Sequence, residues 1–362
     1  MGEEKQLLVM RDQIDDIDRQ IQDLLNERAK AAQEVARIKL SSSPDAVFYR
    51  PEREAQVLRN VMERNTGPLD NETMARLFRE IMSSCLALEK PLNIAYLGPE
   101  GTFTQAAALK HFGHAILMQS MSAISDVFSE VESGGADYGV VPIENSTEGV
   151  VSHTLDMFIK SPLFICGEVS IRINQNLMSR ANSLSKIDKI YSHQQSLAQC
   201  RGWLDRHVER SVERIAVSSN AEAAKLVAED EKAAAIAGEN AASLYQLNIL
   251  ETNIEDEPGN TTRFLVIGKQ QIPASGEDKT SLMLATKNEA GGLHALLSPL
   301  AEHHISMTRI ESRPSRRGIW DYVFFIDILG HKDDENVQRA FNMLSERASL
   351  FKILGSYPVA VL

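Results

Sequence analysis

The chain has 362 residues, 43% hydrophobic and 24% charged, the balance of a globular protein long enough for two or three domains. Lysines and arginines number 38 against 50 aspartates and glutamates, and the net charge of −12 excludes nucleic-acid or anionic-membrane binding by bulk electrostatics. No run approaches a membrane span, the N-terminus turns acidic where a signal peptide needs apolar residues, and Cys85, Cys166 and Cys200 lie far apart, so a cytoplasmic protein is expected.

Residues 5–90 read as helix. Met10, Ile14, Ile17, Ile21, Leu24, Arg28, Ala31, Val35 and Ile38 follow alternating steps of four and three, a heptad seam that predicts one helix over 5–40. Such a helix is about 54 Å long, whereas a compact 90-residue domain spans only about 30–35 Å. The seam therefore calls for a second copy of the chain. Pro44 and Pro51 follow it. A second helix is predicted from Glu52 to Asn65, closed by Thr66-Gly67-Pro68. Asp70 is the expected N-cap of a third, whose apolar stripe is Met74, Leu77, Phe78, Ile81, Met82 and Cys85.

Arg28 sits on the seam, where a snorkelling or carboxylate-paired arginine is the plain reading. Lys39 projects from nearly the same face about 16 Å along, so the two cations can clasp a small anion. Arg11 lies about 25 Å from Arg28, too far to share a ligand within one chain but within reach of a partner's site in an antiparallel dimer. Glu89 adds a polar group to the third helix's stripe. On these residues the segment resembles the all-helical chorismate mutases. The resemblance implies a cation cage of Arg11, Arg28 and Lys39 around the substrate dianion and an Arg-Glu pair matched to Arg53 and Glu54, with Glu52 as the alternative carboxylate. It also implies that Glu89 donates a hydrogen bond to the breaking ether oxygen. A unimolecular Claisen rearrangement needs only this: a compact conformer and stabilised charge on that oxygen.

Pro91 marks a change of texture. From Leu92 to Lys269, apolar runs (NIAYLG, YGVVPI, KIYS, AAAIAG, RFLVIG) alternate with helical stretches at 121–133, 194–208 and 220–230, an α/β pattern. YLGPEGTFTQAAA (96–108) is a strand, a glycine-rich turn and a helix start suited to a carboxylate or phosphate, and it is neither a Walker motif nor GxGxxG. VPIENSTEGVV (141–151), SHQQSLAQC (192–200), SNAEAA (219–224) and NTTRFLVIG (260–268) complete a set that resembles prephenate dehydratase over 92–269. The resemblance implies two α/β lobes, one from 92–170 plus 252–269 and one from 171–251, with the site in the cleft. It makes Thr262 the principal catalytic residue, and Asn145, Ser146, Thr147, Ser196 and Gln199 candidate substrate contacts. Arg263 is a candidate carboxylate anchor, with a buried structural ion pair as the equal alternative. RINQNL (172–177) is given no catalytic role.

QQIPASGEDK (270–279) reads as a linker. Beyond it, SLMLAT, a helix over 292–303, HISMTRIES, DYVFFIDIL, a helix over 334–348 and FKILGSYPV follow the βαββαβ order of a ferredoxin-like domain. GGLHALLSPL (291–300) and IESRPSRRG (310–318) resemble the effector site of ACT domains, which implies phenylalanine bound between two protomers by Gly292, Leu293, Leu296, Glu311, Ser312, Arg313 and Pro314.

The expected chain is thus multidomain: an all-α mutase (1–90), a two-lobed α/β dehydratase (92–269) and a ferredoxin-like α+β ACT domain (280–362). It would convert chorismate to prephenate and prephenate to phenylpyruvate under feedback by phenylalanine, as a homodimer or higher homo-oligomer, without cofactor or metal. The rival reading is a two-lobed small-molecule-binding regulator with no chemistry. That reading gives no reason for Arg28, Lys39 and Thr262 to occur together.

Overall fold

The computed structural model describes residues 3–42, 47–286, 289–314 and 322–362; Pro44 and the SRRG end of the 310–318 stretch lie outside them. Helix α1 (Glu3–Ser42) runs without glycine or proline. Helix α2 (Pro51–Arg64) starts on Pro51, whose missing N–H costs nothing at a first turn. Helix α3 (Asn71–Glu89) is capped by Asp70, whose carboxylate accepts from the Thr73 N–H at 2.7 Å. One compact unit comprises 3–42, 47–50, 58–92 and 112–117, and the other comprises 51–57, 93–111 and the described residues from 118 onward. In the first unit α3 buries Ala75, Arg79 and Ser83, a face spaced by four residues, and His114 Nδ1 meets Glu80 at 2.8 Å. On α1 the seam stays open: Met10, Ile14, Ile17, Ile21 and Leu24 are each about half exposed or more.

The second unit carries three sheets. Its elements run β1 (Asn93–Leu97), α4 (Phe103–Phe112), β2 (Leu117–Met121), α5 (Ile124–Ser133), β3 (Tyr138–Asn145), β4 (Gly149–Val150), α6 (Ser152–Lys160) and β5 (Phe164–Arg172). Then come β6 (Asn176–Ser179), β7 (Lys189–His193), α7 (Gln194–Gln199), α8 (Arg201–His207), β8 (Glu213–Val217), α9 (Asn220–Val227), β9 (Ala233–Ala237), α10 (Glu239–Tyr245) and β10 (Asn248–Glu251). The chain ends with β11 (Thr261–Gly268), β12 (Asp278–Ala285), α11 (Gly292–Glu302), β13 (Met307–Pro314), β14 (Tyr322–Leu329), α12 (Glu335–Arg347) and β15 (Leu350–Pro358).

The first lobe is the sheet β2-β1-β3-β11-β5, with β4 paired to β3, and the second is β10-β6-β9-β7-β8. The chain crosses between lobes at 173–175 and returns before β11, and the two crossings bond as Ile254 N to Gln175 O and Ile173 N to Asn260 O, both 2.8 Å. The stretch predicted as one helix over 194–208 breaks into α7 and α8 at Cys200. In the second lobe β9, AAAIA, is buried throughout, as a strand covered on both faces must be.

The third sheet, β13-β14-β12-β15, is antiparallel throughout and has the order of a ferredoxin-like fold. One face is covered by α11 and α12 through Leu282, Leu284, Leu296, Leu300, Val337 and Leu344. Its other face shares a core with the first lobe, where Met283, Val323, Phe325, Leu354 and Tyr357 join Val141, Ile143, Phe158, Ile165, Leu265 and Ile267. Gly355 makes this approach possible, because a Cβ there would sit 2.2 Å from the Ile165 carbonyl oxygen. The 270–277 stretch is no free linker. Ile272 and Ser275 are buried, Ser275 Oγ donates to Asp278 at 2.7 Å, and the fully buried His331 ring meets the Ile272 carbonyl at 2.9 Å.

Candidate active site

A cavity of about 1040 Å³ opens between the two lobes. From the first lobe it is lined by Gly98, Pro99, Gly101, Thr102, Asn145, the 148–151 turn and Thr262, and from the second by Gln175, His193, Ser196, Gln199, the Ser218–Asn220 turn and Gly238. These positions follow strand ends and precede helices α4, α7, α9 and α10, the usual place for a ligand site in α/β folds. Ser219 caps α9 through the Glu222 N–H at 3.0 Å, and Glu222 reaches back to the Ser218 N–H at 2.9 Å. No lysine or arginine appears among the described residues lining the cavity; the ionisable ones are Glu148 and His193.

Thr262 faces this space from β11, directly opposite Asn145 on β3. Asn145 Oδ1 accepts the backbone N–H groups of Thr147 (3.0 Å) and Glu148 (2.9 Å), which fixes the amide's orientation. Its Nδ2 therefore donates, to Thr262 Oγ1 at 2.8 Å and to Asn260 Oδ1 at 2.7 Å. Thr262 is an acceptor toward Asn145, so its own hydrogen is left for whatever occupies the cavity. The amide chain continues across the cleft. Asn260 Nδ2 and Gln175 Nε2 each donate to Gln199 Oε1 at 3.4 Å, while Gln199 Nε2 donates to Glu148 at 3.2 Å. Ser196 Oγ accepts from Gln175 (3.1 Å) and Asn220 (2.8 Å).

Asn145, Ser196, Gln199 and Thr262 thus come together as expected from sequence, and three other expectations are corrected. Ser146 and Thr147 do not line the cavity: Ser146 Oγ accepts the Thr261 N–H at 3.0 Å, and Thr147 contributes only its N–H to Asn145. Arg263 is no substrate anchor. Strand alternation turns it away from Thr262, into Glu168 (2.8 Å), Asp327 (2.6 Å) and the Tyr357 hydroxyl (3.1 Å). Burial opposes its charge, but Tyr357, Asp327 and Glu168 outweigh burial and hold it above the ordinary arginine value. Sequence reasoning missed Asn260, although Asn260 and Thr262 share a face by the strand's period of two. It also missed Gln175, which lies in the RINQNL stretch and is buried.

In the helical unit Arg28 and Lys39 are half-buried and Arg11 is exposed. The structure brings Arg28, Lys39 and Glu89 into electrostatic reach of one another: burial raises the Glu89 pKa, with Lys39 and then Arg28 opposing. Lys39 Nζ also donates to the Val47 carbonyl at 3.3 Å and lies 5.6 Å over the Phe48 ring. Arg53 is exposed and Glu54 half-buried in the first turn of α2, whereas Glu52 is buried and its charge acts on Tyr138.

In the third domain the expected effector residues separate. Gly292 is buried at the start of α11 and Leu293 is partly exposed, but Leu296 is 1% exposed and belongs to the domain's own core. On β13 Ser312 and Pro314 are exposed, while Glu311 and Arg313 turn to the opposite face. Arg313 is committed to Asp156 (2.9 Å) and Ser152 (2.9 Å) of α6, so it is no effector ligand.

Among the described residues no cluster of His, Cys, Asp and Glu is arranged to hold a metal, and no helix is long and apolar enough to cross a membrane. Family models match in series: chorismate mutase type II over residues 10–90, prephenate dehydratase over 94–272 and ACT domain over 280–344. The chain is 57% identical to the bifunctional chorismate mutase/prephenate dehydratase of Stutzerimonas stutzeri, with the whole of both chains covered. It is 55% identical over the same extent to that of Pseudomonas aeruginosa.

The chain belongs to the bifunctional chorismate mutase/prephenate dehydratases. It resembles a prephenate dehydratase from Arthrobacter aurescens solved in complex with L-Phe, at TM-score 0.68, 33% identity, and coverage of 74% of this chain and 90% of that one. A quorum-quenching acylase has the same TM-score at 27% identity, covering 74% of this chain and 98% of its own. The fold therefore does not by itself select the chemistry; the side chains in the cleft must. Both activities, isomerase and lyase, are those of the family, and the ACT domain adds a regulatory module.

Proposed function

We propose that Thr262 is the proton donor of the dehydratase, in the 92–269 domain, and that Arg28, Lys39 and Glu89 form the mutase site in the 1–90 domain. The observation that carries the first assignment is the oriented amide of Asn145. Because it donates to Thr262, the threonine O–H is aimed at the substrate's ring hydroxyl. The electron pair of the ring–carboxylate bond moves into the ring as CO2 departs, the para carbon–oxygen bond breaks, and the hydroxyl leaves as water with the proton from Thr262, which takes a proton back from solvent before the next turnover. Aromatisation drives the step, so orientation is the main demand on the protein. Prephenate's carboxylates would meet hydroxyls and backbone N–H groups of the Gly98–Thr102 and Ser218–Asn220 turns in place of a cation. A coupled assay starting from chorismate tests the pair of assignments. Arg28→Ala should stop prephenate formation while added prephenate is still consumed, and wild-type phenylpyruvate formation from chorismate by that variant would exclude the cage role.

Glu89 acts as the mutase's hydrogen-bond donor in its protonated form. A free glutamate titrates near 4.3, and burial raises Glu89 above its ordinary value despite the two cations. Mutase kcat/KM should therefore fall about tenfold per pH unit once pH exceeds the raised pKa. Glu89→Gln should flatten the profile and exceed wild type at the alkaline end. Identical profiles for the two enzymes would remove Glu89 from this role.

The exposed seam of α1 supports a homodimer joined through that helix, with Arg11 completing the partner's mutase site. Arg11→Ala and Arg28→Ala should each be inactive as mutases, yet refolding an equal mixture should restore about a quarter of wild-type turnover. Half of the dimers would be mixed, each with one intact site of two. No recovery on mixing would place Arg11 outside the site. The effector is phenylalanine, held between ACT domains by the start of α11, Leu293 and the exposed face of β13 with Ser312. An effector acts only by binding two arrangements unequally.

A further inference from the structure

We propose that β13 is the coupling strand between the effector and the dehydratase cleft, and that Arg309 is a positioning residue acting through Glu144 on Asn145 and Thr262. The proposal rests on the reading that phenylalanine engages the exposed face of β13. That face shows Ile310, Ser312 and Pro314, and the alternate residues Arg309, Glu311 and Arg313 are the less exposed set. Arg309 donates to Glu144 on β3 at 3.0 Å. Arg313 binds Asp156 and Ser152 in the first turns of α6.

The contacts around Arg309 form a closed figure. Within the ACT sheet Arg309 stands opposite Asp327, and within the lobe sheet Glu144 stands opposite Arg263. Between the sheets Arg309 meets Glu144 and Arg263 meets Asp327 at 2.6 Å. Four charges thus alternate in sign around a square. Both lobe-side corners are one residue from the chemistry: Glu144 precedes Asn145, and Arg263 follows Thr262. Because a strand turns successive side chains to opposite faces, each corner anchors the backbone from which its neighbour faces the cavity.

The two cross-sheet links differ in strength. Arg263 is held by three partners, and both of its carboxylates are buried, Glu168 also binding Lys279 at 2.7 Å. Arg309 is nine-tenths buried, its Nη2 has no hydrogen-bond partner among the described residues, and its acceptor Glu144 is 40% exposed. A buried guanidinium so lightly satisfied is not locked in one position. Arg263 is the fixed corner and Arg309 the movable one. Arg309 and Arg313 together grip either side of the 146–151 turn, whose Glu148 bonds Gln199 of the second lobe. Displacing β13 therefore acts on the cleft's wall and on the bond that joins its two sides.

The test uses the full-length enzyme, with phenylalanine binding followed by calorimetry and dehydratase inhibition by turnover. Arg309→Gln should bind phenylalanine within about threefold of wild type, while the concentration for half-inhibition rises at least tenfold. Arg309→Lys, which keeps the charge, should recover part of the inhibition. Glu144→Gln approaches the same contact from the lobe side and should uncouple likewise, so a poorly folding Arg309 variant does not decide the matter. Wild-type inhibition in both Arg309→Gln and Glu144→Gln would overturn the coupling role of this contact. Wild-type enzyme that binds no phenylalanine would overturn the effector reading itself, and that result appears before any variant is made.

Discussion

Thr262→Ala should lower dehydratase turnover by about 10³-fold while mutase turnover stays within twofold of wild type, the range expected when a positioned proton donor is removed. KM for prephenate should change little, because the hydroxyl is asked to act in the transition state rather than to hold the ground state. Asn145→Asp is the sharper variant. A carboxylate can only accept, so it would take the Thr262 hydrogen, and it would face Asn260 Oδ1 without a hydrogen to offer. Its loss should approach that of Thr262→Ala although the threonine is still present. If Asn145→Asp kept more than a tenth of wild-type turnover, the orientation argument would fail even if Thr262 proved essential.

Deleting residues 280–362 should leave no folded dehydratase. The ACT sheet contributes Met283, Val323, Phe325, Leu354 and Tyr357 to a core shared with the first lobe. At roughly 1.5–3 kcal/mol for each buried side chain, their removal costs about 10 kcal/mol, comparable to the whole stability of an ordinary domain. The deletion would also strip Asp327 and Tyr357 from the buried Arg263–Glu168 pair. Scanning calorimetry of the 92–279 fragment should show no cooperative transition. A soluble fragment melting within a few degrees of the full chain would show that the shared core is dispensable.

Much of this fold is written in local pattern. The heptad steps of α1, the Asp70 cap and the βαββαβ order are all periodic or short-range signals, and each element appears within a few residues of its expected bounds. The cleft was legible where motif and strand period agree, as at Asn145 and Thr262. A motif misleads where the strand period divides it. Thr262-Arg263 and Ser312-Arg313 are adjacent pairs on strands, and adjacent strand residues cannot face the same ligand. The role of 270–277 was illegible for another reason: its partner His331 lies some sixty residues away, and nothing in QQIPASGEDK announces a histidine fitted against it.

The order β13-β14-β12-β15 sets a lever arm. At one edge β15 is pinned, because Gly355 presses its backbone against Ile165 and leaves no room for even a methyl group. At the other edge lies β13, three strand spacings or about 14 Å away. A pivot of about 5° around the pinned edge carries β13 through roughly 1.2 Å. The Arg309–Glu144 bond of 3.0 Å is broken by less than that, whereas contacts beside the pivot hardly lengthen. A rotation that hardly moves the strand at the pivot is thus large enough to switch the far edge.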